Sequence, residues 1–463
     1  MKELRRSAAL FYLIPALLLA LGAPVRMQAQ EHPSAPAEAA HAGTHDMHAD
    51  SSHLMHADSA AAGHEGEMHE GEGHGAHACH FHADVHEDEY DATGTAFHHI
   101  SDANVYSIGS FNFPLPCILY AKGHGWDVFS SSKFAFDFYG HGEGRKAYNQ
   151  YVLDNGAVKR VQDASFPMGQ VDLEGFVHID SLIDGNKKEF AYACYGGQHY
   201  LLDAQSTADG GLFGGGMTSF YDFSLSKNVV SMLLITLLLT WAFFSIAKAY
   251  RNRTAQAPKG LQSFMEPIFL FIQDEVAKPF LGPKWEKFLP LLLSLFFFIL
   301  GLNLFGQVPI FGGSNVTGNL AVTMVLALIT FVVVTLNGNK HYWNHILWMP
   351  GVPAVIKILI LTPVEILSIF IKPFTLMLRL FANITAGHIV ILSFIGLIFM
   401  FGKMGESTGG FLTGTVVSIP LTIFLMAIEL LVAFIQAYVF TLLTASYIGA
   451  ATQEDHDHHA EKH

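Results

Sequence analysis

Positive charge is scarce in this chain of 463 residues: 26 Lys and Arg stand against 40 Asp and Glu, for a net charge of −14. No basic patch with interleaved aromatics occurs, which excludes nucleic acid as a partner. Cysteine is rare too. Cys79, Cys117 and Cys194 are an odd number, so at most one internal disulfide can form, and Cys117–Cys194 is the expected pair. Between residues 100 and 215 there is no nucleophile triad, phosphate loop or paired-carboxylate signature, so no chemistry is assigned there. What the chain has in excess is apolar residues, 51% of the total, with a mean hydropathy of +0.32. That is too apolar for an ordinary soluble protein, and the acidic excess falls mostly in residues 30–210. The composition describes a membrane protein with a soluble front half.

Residues 1–29 read as a secretory signal, with Lys2, Arg5 and Arg6 ahead of a Leu/Ala-rich run from Ala8 to Ala23 that is short for a spanning helix. Cleavage near Ala23, cleavage after Ala29 and retention as an anchor all stay open; in each case the chain beyond the signal is exported. Residues 30–99 hold fifteen of the 26 histidines among Ala, Gly, Glu and Asp. With so few large apolar groups this segment is expected to be disordered. Its histidines allow two readings. One is metal capture, with His77, Cys79, His80, His82 and His86 as the densest cluster; the other, which the irregular spacing favours, is a solvated linker that binds metal incidentally. Residues 100–217 change texture: Phe111–Leu119, Lys133–Tyr139, Gln170–Ile179 and Glu189–Tyr195 are aromatic and β-branched runs between Gly, Asp and Asn turns. They predict a small β-rich extracytoplasmic domain, with Gly210–Gly216 as the linker out of it.

Residues 218–452 predict an all-α polytopic membrane domain of five transmembrane helices plus one interfacial amphipathic helix. Val229–Ala247 is the first span, and the Lys and Arg residues beyond it, from Lys248 to Lys287, set that loop in the cytoplasm. Leu261–Phe280 within the loop has the pattern of an amphipathic helix lying in the interface. Phe288–Phe305 returns outward and Asn319–Leu336 goes back in, with Asn303, Asn315, Thr317 and Asn319 near the outer surface, suited to a wet entrance or simply to capping. A long helix inside Pro353–Met400 and a last span, Phe411–Ile448, complete the set. The tail 453–463 is cytoplasmic and solvated on this reading.

Glu365, Lys372, Arg379 and His388 stand inside the apolar segment Pro353–Met400. An ionisable group at bilayer depth costs roughly 2.5–3.5 kcal/mol on the mildest scale, so it marks an ion pathway by default. Glu365, Lys372 and Arg379 fall seven apart, and Thr375 and Asn383 lie four before and four after the arginine, giving one polar stripe on one helix face. Glu365 and Lys372 lie toward one end and can snorkel, whereas Arg379 is flanked by about 20 apolar-rich residues on either side. A structural tie to another helix is the competing account of this arginine. The last span carries Glu429 and Gln436, seven apart, with Tyr447 eighteen from Glu429 on the same face.

The run Lys372–His388, with its Leu378-Arg379-Leu380-Phe381 core, Asn383 four residues on and Ala386-Gly387 before His388, resembles the arginine helix of subunit a of the rotary, F-type ATP synthases. Glu429–Phe440 resembles that family's final helix, where a Gln precedes an Ala-aromatic pair and a titratable group lies seven residues earlier. Many bacterial relatives carry Glu at the position of His388 and His at that of Glu429. Here the two are exchanged, as in mitochondrial forms, which a proximal pair tolerates. The similarity continues through Asn319–Met324, but the aspartate frequent just upstream is not evident, which leaves open the group that relays protons there. It covers about Tyr221–Gly449 and leaves the front half without a place.

The resemblance implies a non-catalytic proton-channel stator with two aqueous half-channels, nucleotide chemistry being left to partner subunits. It implies as partners a rotor ring of subunit c, the peripheral-stalk subunit b, the rest of the ATP synthase complex, membrane lipid and protons, and no cofactor. The place is a bacterial inner membrane, with a periplasmic N-terminal region and a cytoplasmic C-terminus. Proton translocation would fall to Arg379, His388, Glu429, Gln436, Asn383 and Glu365. Arg379 would face the rotor carboxylates, Gln436 would hold it by a hydrogen bond, and Asn383 would line the path. His388 lies nine residues from Arg379, about 180° around a helix, so it faces the final helix and suits a relay with Glu429. A buried structural hydrogen bond is the other account of that pair. A transition-metal permease with a His-rich collecting segment is the rival function, but its spans would offer mainly His388 and Glu429 beside a repelling cation. A surface receptor anchored by passive helices leaves Arg379 unexplained.

Overall fold

The computed structural model of the chain describes residues 79–81, 101–108, 111–136, 142–183, 186–208, 210, 218–252, 257–308, 314–347, 354–402 and 407–453. The expected signal segment, nearly all of the His-rich segment and nearly all of the tail lie outside these residues.

Among the described residues the β-rich part has twelve short strands: β1 Val105–Ile108, β2 Phe111–Pro114, β3 Pro116–Ala121, β4 Gly125–Ser130, β5 Lys146–Tyr148, β6 Tyr151–Asp154, β7 Ala157–Arg160, β8 Gln170–Asp172, β9 Gly175–Ile183, β10 Asn186–Tyr195, β11 Gln198–Leu201 and β12 Phe220–Asp222. All pairings are antiparallel, in sheets ordered β12-β3-β4, β7-β6-β5-β8 and β11-β10-β9, with β1-β2 as a separate ribbon. Side chains alternate across a strand, and β6 uses both faces. Tyr151 and Leu153 enter a core with Cys117, Leu119, Phe134 and Phe220, while Val152 enters another with Phe81, Phe166, Phe176 and Ala193. The four-stranded sheet therefore lies between two apolar layers. The β6–β7 hairpin turns at Asn155-Gly156, both at positive φ, the conformation a tight two-residue hairpin turn requires.

Three expectations are corrected by the structure. Lys133–Tyr139 does not begin as a strand: Ser131–Phe134 is a 3₁₀ turn capped by the Ser130 hydroxyl, with Phe134 buried in the core. The disulfide is Cys79–Cys194. An isolated bridge between His80 and Phe176 sets Cys79 beside β10, where Cys194 stands opposite Gly175; Cys117 is sealed in the other core, across the middle sheet, and stays a free thiol. Cys79–Phe81 is thus paired and packed, although the sequence places it in the low-complexity segment. Lastly, Gly210–Gly216 is not the last stretch before the membrane helices. β12 comes after it and pairs with β3, and the main chain stays bonded to that strand, Phe223 N–H to Ile118 O at 2.9 Å and Leu225 N–H to Pro116 O at 3.2 Å, up to the first long helix.

That helix is α1, Lys227–Asn252; the others are α2 Leu261–Phe271, α3 Trp285–Gln307, α4 Leu320–Asn337, α5 Lys340–Leu347, α6 Thr362–Gly402 and α7 Thr408–Thr452. Among the described residues five stretches are long and apolar enough to cross a membrane, as expected: Lys227–Asn252, Leu261–Gln307, Leu320–Asn337, Leu359–Gly402 and Thr408–Thr452. The amphipathic α2 runs through a π turn, Ile272–Ala277, toward α3, and the Phe271 ring packs at a tilt against Phe434 and Tyr438 of α7. Apolar on every side, α3 is buried along most of its length, as such a helix must be. On the side where α7 ends, the Thr452 carbonyl accepts from Lys284 Nζ and Asn339 Nδ2, both at 2.9 Å, which satisfies a helix end otherwise left with free acceptors. In contrast, α6 and α7 keep large apolar side chains exposed, Phe370, Phe374, Leu412 and Phe424 among them.

Candidate functional site

The site lies along α6 and α7. On α6, Leu376, Met377, Leu380 and Ile384 turn inward, and this fixes the helix rotation. Thr375 and Asn383 are consequently exposed, with the partly exposed Arg379 between them. Among the described residues Arg379 makes no hydrogen bond or ion pair, and it lies within electrostatic reach of the Tyr447 phenol of α7. The expected hydrogen bond from Gln436 is not formed. Gln436 is only 7% exposed, on the α7 face that carries Ala433, Ala437 and Phe440 into the bundle.

His388 and Glu429 do meet. Nδ1 of His388 is 3.8 Å from Oε1 of Glu429, too far for a hydrogen bond and close enough for an ion pair if the ring is protonated. Oε1 is buried and has no hydrogen-bond partner among the described residues. Two glycines make room for the pair. A Cβ on Gly387 would lie 2.9 Å from Glu429 Oε1, and one on Gly306 would lie 3.7 Å from His388 Nε2 and 2.9 Å from the Ser314 carbonyl oxygen.

Buried polar side chains gather around this pair. Gln307 donates to the Glu429 carbonyl at 2.9 Å and Asn303 to the Ala433 carbonyl at 3.2 Å, so donors four apart on α3 clasp acceptors four apart on α7. Thr317 donates to Asn303 Oδ1 at 2.7 Å, and Ser314 to Ser231 of α1 at 2.7 Å. Asn315 Nδ2, Asn228 Oδ1, Ser418 Oγ and Thr422 Oγ1 are buried without a hydrogen-bond partner among the described residues. Of the polar residues expected near the outer surface, Asn303, Asn315 and Thr317 belong to this cluster; Asn319 caps α4 by accepting from Ala321 N–H.

A cleft lies on the other side of Arg379, among α4, α5, α6 and α7. Its lining is mostly apolar, with Phe331, Val334 and Ile369, and Lys372, Tyr342 and Tyr447 bring polar groups to it. Lys372 Nζ sits 5.7 Å from the centre of the Tyr447 ring, and Thr330 is bonded to Thr444 at 3.3 Å. Glu365 interacts electrostatically with Tyr342. It lies fourteen residues from Arg379, about 21 Å along the helix, and is not brought to the His388–Glu429 pair.

Sequence reasoning missed Lys227, Ser231, Ser314 and Gln307. A lysine at the head of an apolar span reads as a snorkelling residue, yet Lys227 is only 5% exposed and lies within electrostatic reach of the His388 ring. The metal-binding candidates gain nothing. His77, His82 and His86 lie outside the described residues, His80 is exposed, and Cys79, Cys194 and His199, which do cluster, have both sulfurs committed to the disulfide.

Comparison with known proteins bears on this helical part. The family model described as ATP synthase A chain matches residues 229–449, and one described as a domain of unknown function matches residues 95–175. The chain is 40% identical over 247 residues to ATP synthase subunit a of Chloroherpeton thalassium, covering 52% of this chain and 71% of that protein. It is 42% identical over 247 residues to ATP synthase subunit a 2 of Chlorobaculum tepidum, with coverage of 52% and 67%. It is 39% identical over 256 residues to ATP synthase subunit a of Myxococcus xanthus, with coverage of 53% and 80%. With five spans of the required length and relatives matched over two thirds or more of their own length, the chain is a multi-pass membrane protein that belongs to the ATP synthase subunit a family.

Proposed function

We propose that the chain is the proton-conducting stator of a rotary ATP synthase in a bacterial inner membrane, non-catalytic itself, working against a ring of c subunits and held by the peripheral-stalk subunit b. Residues 1–29 are then a signal peptide, 30–99 an exported His-rich segment, 100–217 the bulk of a periplasmic domain, 218–452 the membrane domain and 453–463 a cytoplasmic tail. The observation that carries this reading is Arg379: a guanidinium on a span, partly exposed, without hydrogen-bond or carboxylate partner among the described residues, between the polar cluster at His388 and the cleft at Lys372.

A fixed cation there does two things. It stabilises a rotor carboxylate in its ionised form, so that the carboxyl releases its proton as it arrives. It also repels a proton that would otherwise cross directly between the two sides. The buried polar atoms around His388 and Glu429 that lack protein partners are where water is retained, since leaving such atoms dry is costly. In this reading that cluster is the outer half-channel, with the pair as its relay; the cleft at Tyr342, Lys372 and Tyr447 is the inner one. Asn383 flanks the arginine on the exposed face of α6, Gln436 serves from within the bundle, and Glu365 lies at the inner end. Each proton moved through a potential of 100 mV supplies about 2.3 kcal/mol to rotation.

The test is ATP-driven proton pumping in inverted vesicles with Arg379→Ala, compared with wild type at matched complex assembly. Loss of pumping with assembly intact is expected. Pumping at the wild-type rate would make Arg379 a structural tie.

A further inference from the structure

One face of the sheet β12-β3-β4 is turned away from the core. Cys117, Leu119 and Ala121 of β3 point inward, so Ile118 and Tyr120 between them point out. The register sets Val128 beside Ile118, and Trp126 and Tyr221 on either side of Tyr120. Phe223, two residues past Tyr221, joins the same face. The rings form one plate: between centres Tyr120 is 5.1 Å from Trp126 and 6.3 Å from Tyr221, and Trp126 is 5.5 Å from Phe223. Even so, Val128 is 70% exposed, Trp126 61% and Tyr221 40%. A contiguous apolar patch left this open marks a surface that meets something.

Its charge and its place in the chain say what that is. The acids of these strands, Asp127 and Asp222, belong to the opposite face, where Asn149 donates to Asp127 at 2.8 Å and Asn104 to Asp222 at 3.3 Å. The outer face therefore carries no acid, although the acidic excess of the chain falls mostly in residues 30–210. Lys122, exposed in the turn between β3 and β4, borders it. The Phe223 and Leu225 N–H groups stay bonded to β3, and Lys227, four residues after Phe223, opens the span α1. Four residues extend about 14 Å at most, so the Phe223 edge of the face lies within that distance of the head of a membrane helix. Tryptophan and tyrosine suit a membrane–water interface, because an apolar ring body is joined to an N–H or O–H that stays hydrated. A lysine at the rim and no acid suit anionic headgroups, which attract the one and repel the other.

We propose that this face of the β domain lies on the lipid headgroup region beside α1, with Trp126, Val128 and Tyr221 entering the interface and Lys122 meeting lipid phosphate. The domain is then held to the membrane surface at two places, the chain leading into α1 and the aromatic face. This requires that α1 spans the membrane and is independent of the role of Arg379.

The experiment uses the full chain in its assembled complex, reconstituted in vesicles of phosphatidylethanolamine and phosphatidylglycerol. An environment-sensitive fluorophore is attached at Val128→Cys, in a second sample at Tyr221→Cys, and, as the reference, at Met168→Cys, an exposed position between β7 and β8. Cys117 is buried and Cys79 and Cys194 are joined, so the label goes to the introduced thiol. The expected result at position 128 is emission shifted to the blue and quenched by headgroup-nitroxide lipid more strongly than at position 168. Quenching no stronger than at the reference overturns the proposal. If Val128→Cys fails to assemble, Tyr221→Cys decides by the same comparison. Lys122→Glu together with Trp126→Asp, in the Tyr221→Cys background, is expected to bring quenching down to the reference level; unchanged quenching overturns the assignment to this face. A photoreactive group at position 128 identifies the occupant. Adducts with lipid are expected, and adducts mainly with another subunit or a second copy of the chain overturn the proposal.

Discussion

Gly387→Ala tests whether the spacing of His388 and Glu429 sets the rate of translocation. The added Cβ would stand 2.9 Å from Glu429 Oε1, 3.3 Å from Cδ and 3.4 Å from Cγ. Comfortable contact begins at about 3.5 Å, so the carboxyl must withdraw by roughly half an ångström. The atom displaced is the far end of a flexible side chain, so the cost to folding is small. In a helix interior alanine is in fact better than glycine by about 1 kcal/mol. The cost falls on the 3.8 Å separation from His388 Nδ1. Since misplacing a reacting group by about 1 Å can slow a step on the order of 100-fold, half that distance is worth about tenfold. The assay is ATP-driven proton pumping in inverted vesicles, with complex content matched by immunoblot. Slow pumping in a fully assembled complex is expected. Pumping within about twofold of wild type would show that the geometry of this pair does not limit proton movement, and the relay assignment would go.

Three further predictions concern the β domain. The Cys79–Cys194 bridge spans 115 residues, and releasing a loop of that length with Cys194→Ser costs about 4–5 kcal/mol by chain entropy; limited proteolysis of the intact protein should cut the β domain readily, and unchanged resistance would contradict the chain-entropy account. Asp154 is fully buried and accepts from Lys159 Nζ at 2.6 Å and pairs with the His178 ring at 3.1 Å. Burial alone would raise its carboxyl, but His178 and Lys159 outweigh it and hold the group well below the ordinary range. A depressed folded value means that this stabilisation is complete above the unfolded value of about 3.9 and is lost as pH falls through the folded one. Protease resistance should therefore hold from pH 7 to 5 and fall only in stronger acid, while Asp154→Asn should lose about 3–5 kcal/mol at every pH above that. Burial, with the Asp222 carboxylate nearby, pushes the Cys117 thiol up to about 12. It should stay unlabelled by maleimide at neutral pH until the domain is unfolded; labelling of the native protein would place it outside the core.

The membrane half was legible because its constraints are local. A span needs an unbroken apolar run, so helix positions follow from composition along the chain, and charged residues inside a run stand out against it. That is why Arg379, His388 and Glu429 could be named from sequence, and why His388 was assigned to the final helix by its angle from Arg379. The β domain was harder. Its strands are three to ten residues long, and β6 has no alternation to detect, because both of its faces are buried. The Asn155-Gly156 turn was a readable signal that went unused. Pairing of the cysteines was not readable, since Cys79 reaches Cys194 only through one isolated bridge at His80.

By itself, then, the sequence determined the number of spans, the residue types placed inside them and the family resemblance, all properties of short stretches read along one helix. Tertiary structure alone decided what those residues face. Helix rotation is fixed by packing, and packing left Arg379 partly exposed on α6 and buried Gln436 in the bundle. It also set Asp102 on the head of α1, more than a hundred residues away, because a helix start must find acceptors or donors for its free backbone groups wherever the fold supplies them.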